Sequence, residues 1–159
     1  MKIMSINAGS SSLKFSLFNM DTKEVLLSGL FERIGIEGSC YTLEYGEYKI
    51  KNEALMETHL DAVKILMDKL LELKIVNSLE EIDGIGHRIV HGGAIYKESV
   101  VVTDKVLDDI IALSDLAPLH NPAHAMCIKA FREVLPNTPM VVVFDTAFHQ
   151  TIEKDRFLY

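Results

Sequence analysis

The sequence predicts an α/β fold, a mixed β-sheet with helices packed on it, and three observations carry that expectation. The first third is a succession of short strand-like segments, strand and helix patterns alternate after it, and a buried apolar run, Met140 to Phe144, delivers Asp145 to a strand's carboxyl end. Open sheets of this class bind their ligands at such ends.

Taken in order, Lys2 to Ile6 reads as a buried strand and Leu13 to Phe18 as an alternating one. Glu24 to Phe31 follows, then Tyr41 to Tyr45 and Glu47 to Lys51 around Gly46, with Gly35 and Gly38 punctuating the loop between the third and fourth strands. Met56, Leu60, Val63, Met67 and Leu70 recur at helical steps, which predicts a helix from near Ala54 to Lys74. Ser78-Leu79-Glu80-Glu81 has capping-box spacing for a single helical turn, and Ile82 to Val90 is an apolar strand ending at Gly92-Gly93. Val100 to Val102 reads as a short strand and Asp104 to Leu116 as a helix. The next helix opens at Asn121-Pro122, an N-cap followed by proline at the first helical position, and stops at Pro136.

With 159 residues, 48% of them hydrophobic, the chain can bury a substantial core. A formal net charge of -7 argues against a nucleic-acid surface, where clustered Lys and Arg neutralise phosphates. Cys40 and Cys127 form no C-x-x-C pair and read as small buried hydrophobes of a reducing compartment. No run approaches the ~20 apolar residues of a membrane span, so no membrane is expected and a cytoplasmic location is.

Asn7-Ala8-Gly9-Ser10-Ser11-Ser12-Leu13-Lys14 puts a carboxamide, a glycine, three hydroxyls and an ammonium between two apolar strands. Glycine lets the backbone approach an anion, successive turn N–H groups form a concave nest, and Lys14 supplies a point charge, which together make a phosphate grip. The same residue types also build an ordinary hairpin turn. Arg88 shares a strand face with Val90, while His87, Ile89 and His91 take the other; its planar fork suits a carboxylate or phosphate, or else a structural ion pair. Asp145 emerges from buried apolar sequence, where a metal, a metal-bound water or a phosphoryl acceptor would account for it, as would an N-cap role for the segment that follows. His120 and His124 have the spacing of a zinc pair, but no Glu follows the first and Asn121-Pro122 breaks the zincin pattern. Gly84-Ile85-Gly86 lacks the third glycine of a dinucleotide loop, and the Gly9 to Lys14 stretch is neither a Walker A sequence nor a nucleophile elbow.

Four motifs in order, Asn7 to Lys14, Gly86-His87-Arg88-Ile89-Val90-His91-Gly92-Gly93, Ala117-Pro118-Leu119-His120-Asn121-Pro122-Ala123-His124 and Phe144-Asp145-Thr146-Ala147-Phe148-His149-Gln150-Thr151, closely resemble the acetate kinase family across essentially the whole chain. The resemblance implies the actin-like, sugar-kinase-like ATPase fold, with residues 1–159 as its N-terminal, RNase H-like lobe on the substrate and phosphate side. It implies ATP/ADP, Mg²⁺ (or Mn²⁺) and acetate or acetyl phosphate as ligands, and a homodimer. By it Asn7 matches a magnesium-site residue, Lys14 an ATP contact, Ser10 and Ser12 the phosphate-contacting turn, and Arg88 the substrate-binding arginine. Val90 and Leu119 match a pocket for the substrate's methyl group, with Asp145 and His120 as catalytic residues.

Family members continue into a second lobe carrying most of the adenosine pocket and further transition-state residues. Phe157-Leu158-Tyr159 ends the chain on apolar residues, so the expectation is a piece of a longer protein that is nearly inactive alone. Ala94 stands where many members carry an acidic residue. The rivals are a propionate or other short-chain acyl kinase, an ATPase or sugar kinase of the same fold, and a non-catalytic anion-binding domain.

Overall fold

A computed structural model describes residues 1–89, 99–112 and 121–144. Its strands are β1 (Lys2–Ala8), β2 (Leu13–Asn19), β3 (Glu24–Glu32), β4 (Cys40–Tyr45), β5 (Tyr48–Glu53), β6 (Ile82–Ile89), β7 (Val100–Val101) and β8 (Met140–Phe144), and its helices are α1 (His59–Glu72), α2 (Asp104–Ala112) and α3 (Asn121–Val134). The strands form one sheet in the order β5-β4-β3-β2-β1-β6-β8-β7. β1 to β5 form an antiparallel meander, whereas β1, β6 and β8 run parallel. The sheet is therefore mixed, as the element order predicts.

Strand alternation sends Met4, Ile6, Ala8, Leu13, Phe15, Leu17, Ile85 and Ile89 to one face, where each is essentially buried. α1 and α3 pack over that face through Ala62, Val63, Leu66, Leu70, Cys127 and Phe131, and α2 adds Val106, Leu107 and Ile110 beside Ile89 and Val142. The opposite face carries Ser5, Asn7, Lys14 and Arg88, and it is the face on which the candidate site lies.

Most boundaries shift by one or two residues from the sequence reading, and the end of β1 and both ends of α1 do so for identifiable reasons. β1 continues to Ala8, because Asn7 pairs with Lys14 and Ala8 with Leu13, so only Gly9–Ser12 turns. α1 begins at His59 rather than near Ala54: the Thr58 hydroxyl accepts from the Asp61 N–H, while the Asp61 carboxylate accepts from the N–H groups of Glu57 and Thr58. Met56, counted in the helical stripe, is buried ahead of the helix, its N–H held by the Ser39 hydroxyl. The helix stops at Glu72 because Lys74 is left-handed (φ 58°), with Lys74 N–H bonded to Leu71 O and Ile75 N–H to Leu70 O. The turn at Leu79–Glu81 is 3₁₀, capped by Ser78 with Glu81 reaching back. Of the two cysteines, Cys127 is buried as expected, and burial pushes its thiol pKa up; Cys40 is only half-buried, on the strand next to the edge strand β5.

Candidate functional site

The sheet ladder itself assembles the site. Lys14 stands opposite Leu30 on one side and Asn7 on the other, and Arg88 stands opposite Val143. β1 and β6 are in register through Ile6 and His87, so Asn7 and Arg88 follow one position further on, toward the carboxyl ends of two parallel strands. Lys14, Asn7 and Arg88 are all exposed on this face, so two cationic side chains flank one carboxamide. The adjoining row, Ser28, Ser16, Ser5 and Gly86, is made of small residues, which keeps the floor beside them low.

Two clefts open on this face. One of about 300 Å³ is lined by Ser5, Ile6, Gly86, His87, Arg88 and Val143, combining a guanidinium with apolar walls. The other, of about 370 Å³, runs from Lys14 over Ser16, Ser28 and Thr42 to Lys49. The first suits a small carboxylate, for which charge and two hydrogen bonds come from Arg88 and apolar contact from the walls.

At the end of β1 the Gly9–Ser12 turn is closed by a bond from the Gly9 N–H to the Ser12 carbonyl at 3.0 Å. The Ser11 carbonyl accepts from the Ile34 N–H at 2.9 Å, and the Gly9 and Ser12 carbonyls accept from His59 Nε2 at 2.8 and 3.2 Å. Among the described residues, the N–H groups of Ser10, Ser11 and Ser12 have no acceptor. The turn thus faces its carbonyls inward and leaves a set of donors, the arrangement that binds anions.

Behind Arg88, on the packed face, His87 lies edge-on to Phe131 with ring centroids 5.5 Å apart. Burial, with a smaller contribution from nearby His124, pushes its pKa down to about 3, so it is neutral at pH 7. The charge Arg88 presents is therefore not doubled by its neighbour.

The structure brings Asn7, Ser10, Ser12, Lys14 and Arg88 to one end of the sheet. Val90, Leu119, His120 and Asp145 lie outside the described residues. Sequence reasoning missed His59, although the Thr58 to Asp61 spacing that starts its helix was there to be read.

The chain matches the model of the acetokinase family over residues 2–159. It is 58% identical over 158 residues to an acetate kinase of Anoxybacillus flavithermus and 54% identical to one of a Geobacillus species, covering 99% of this chain and 40% of each relative. The fold matches crystal structures of a Porphyromonas gingivalis acetate kinase (TM-score 0.89, 39% identity) and a Francisella tularensis propionate kinase (TM-score 0.85, 42% identity), each over 94% of this chain and 38% of the other. The chain thus spans about 40% of the length of these curated relatives. With the family model matching all but the first residue and relatives sharing more than half of the residues of this chain, the chain belongs to the acetokinase family.

Proposed function

We propose that this chain is the N-terminal, substrate- and phosphate-binding lobe of a cytoplasmic acetate kinase, which transfers the γ-phosphoryl group of ATP reversibly to acetate, giving acetyl phosphate and ADP. The observation that carries the reading is the row of Lys14, Asn7 and Arg88 beside a turn whose Ser10, Ser11 and Ser12 amides are unpaired among the described residues. Acetate is already ionised near neutral pH, so its oxygen attacks without a strong base. The protein's task is to align donor and acceptor and to neutralise charge on the phosphoryl oxygens. In this reading Arg88 holds the carboxylate, Val90 and Leu119 enclose its methyl group, and Lys14 with the Ser10 and Ser12 amides and hydroxyls holds the terminal phosphates. Asp145 and His120 act at the acceptor oxygen and the phosphoryl group.

Mg²⁺ keeps several waters and is usually held by one or two carboxylates together with substrate phosphates. The exposed Asn7 carboxamide would add one neutral oxygen to an ion that arrives with the nucleotide, whose phosphates would offset the Lys14 and Arg88 charges beside it. Bound there, the ion would neutralise phosphate charge.

Since the relatives are longer, the test joins this chain to the remaining 60% or so of the Anoxybacillus flavithermus relative and assays the chimera, for which we propose a homodimer. With acetate, ATP, Mg²⁺ and hydroxylamine, a trapped acetyl hydroxamate is the expected product. ADP release that is equal with and without acetate would overturn the reading in favour of an ATPase, and no turnover by a folded chimera would favour an anion-binding domain. A propionate arm belongs in the same assay, because the Francisella tularensis neighbour is a propionate kinase and one methylene discriminates by only ~1–3 kcal/mol in an apolar pocket. The 159-residue chain alone is expected to turn over at least about 10³-fold more slowly.

A further inference from the structure

We infer that His59 is a positioning residue for the phosphate turn, fixing the direction of the Ser10 N–H; this rests on the phosphate-binding reading of Gly9–Ser12. His59 is the first residue of α1 and is 3% exposed. Its Nε2 lies 2.8 Å from the Gly9 carbonyl and 3.2 Å from the Ser12 carbonyl. Both partners can only accept, so Nε2 carries the hydrogen and the tautomer is set.

The consequence follows from peptide geometry. A trans peptide is planar, with C=O and N–H on opposite sides. Holding the Gly9 carbonyl against His59 therefore turns the N–H of the same peptide, that of Ser10, away from the helix. The Ser11–Ser12 peptide is held differently, its carbonyl by the Ile34 N–H at 2.9 Å, and this bond orients the Ser12 N–H. Two of the three unpaired donors thus have separate braces: His59 for Ser10 and Ile34 for Ser12. Without its brace, the Gly9–Ser10 peptide is free to rotate and offer an anion its carbonyl. Burial keeps water from substituting for the imidazole, since a dehydrated carbonyl gains most from a fixed donor.

The experiment uses the isotope-labelled chain with tripolyphosphate and Mg·ATP as probes, followed through the Ser10 and Ser12 amide resonances and the imidazole nitrogen shifts of His59. The wild type is expected to show an Nε2–H tautomer and probe-induced shifts at both amides. His59→Leu is expected to weaken tripolyphosphate binding about tenfold and to abolish the Ser10 response while that of Ser12 persists. His59→Gln, whose amide nitrogen can reach the Nε2 position, is expected to restore binding to within about threefold of wild type and to return the Ser10 response. Simple loss of structure would erase both responses and would not be rescued. Wild-type affinity in His59→Leu, or a folded His59→Gln variant that fails to rescue, would overturn the role of His59 and leave the turn reading standing. A wild type whose Ser10 to Ser12 amides ignore both probes would overturn the turn reading and this inference with it.

Discussion

Gly9 and Ser12 close the turn on each other: the Gly9 N–H bonds the Ser12 carbonyl at 3.0 Å, and a Cβ placed on Gly9 would lie 2.6 Å from the Ser12 hydroxyl oxygen. A Cβ here would push the Ser12 hydroxyl to another rotamer. Gly9→Ala is therefore expected to destabilise the chain by no more than about 1 kcal/mol, and to weaken tripolyphosphate binding by displacing that hydroxyl. Because the next nearest atom is at an ordinary 3.9 Å, Gly9→Ala/Ser12→Ala should recover most of the stability and not the binding. Urea unfolding of the single and double variants checks this, and equal stability of the two would show that the clash is absent.

Gly29 and Gly86 are both mid-strand glycines, yet they answer to different constraints. A Cβ on Gly29 would meet the Thr42 carbonyl at 2.6 Å, with Leu43 and Phe15 atoms at 2.8 Å, and a strand backbone cannot give way. On Gly86 the nearest atom is a Val141 methyl at 3.9 Å. Gly29→Ala is therefore expected to cost about 1–3 kcal/mol, whereas Gly86→Ala should be neutral or gain up to about 0.5–1 kcal/mol from the lost chain entropy. Gly86 lines the cleft beside Arg88, so its alanine variant should narrow that cleft and weaken acetate use in the chimera without loss of fold. Thermal unfolding and acetate KM measured on the same two variants separate these outcomes.

Much of this was legible in the sequence because alternation and turn chemistry are local signals. The parity that puts Arg88 opposite in direction to His87 and Ile89 follows from strand period alone, and the structure bears it out with Arg88 exposed and the other two buried. What was not legible depended on partners far apart in the chain. Nothing near Asn7 tells that β1 runs on to Ala8; that comes from pairing with Leu13 and Lys14. His59 acts on carbonyls about fifty positions away, and no periodicity reports a contact of that kind. The helix start was misread because Met56 fits the apolar stripe, while its burial comes from Ser39 and the loop before β4 rather than from a helical turn. Val90, Leu119, His120 and Asp145 keep the roles the family resemblance assigns them as proposals.

The buried His87 makes stability depend on pH. Its pKa is lowered from 6.5 to about 3, by burial first and by His124 second, so below pH 6.5 the unfolded chain binds a proton that the folded chain refuses. Stability is then greatest above 6.5 and falls as pH drops toward 3, by at most ~1.4 kcal/mol per unit from this group. Glu81, whose carboxyl is held down to about 2 chiefly by Lys2, acts lower, between 4.5 and 2. Urea midpoints compared at pH 7 and pH 5 therefore fall above the range in which Glu81 acts. His87→Leu should flatten the difference seen in the wild type, and an unchanged slope in that variant would assign the effect elsewhere.

Arg88 provides the sharpest test of the acceptor side. It stands on β6 opposite Val143 of β8, exposed, in a cleft it lines with Ser5, Ile6, Gly86, His87 and Val143. A carboxylate there takes two parallel bonds from one guanidinium, whereas an ammonium supplies a single point charge. In the chimera, Arg88→Ala should raise the acetate KM about 10–100-fold, the worth of charged hydrogen bonds, and leave the ATP KM within a few-fold. Arg88→Lys should recover part of that loss and no more, since charge returns without the fork. Hydroxamate trapping over an acetate series reads the first effect and ADP release over an ATP series the second. If Arg88→Ala raised both constants equally, Arg88 would be serving the fold or the phosphates rather than the carboxylate. Full recovery in Arg88→Lys would mean that a positive charge is enough and that the planar geometry of arginine has no part in choosing the acceptor.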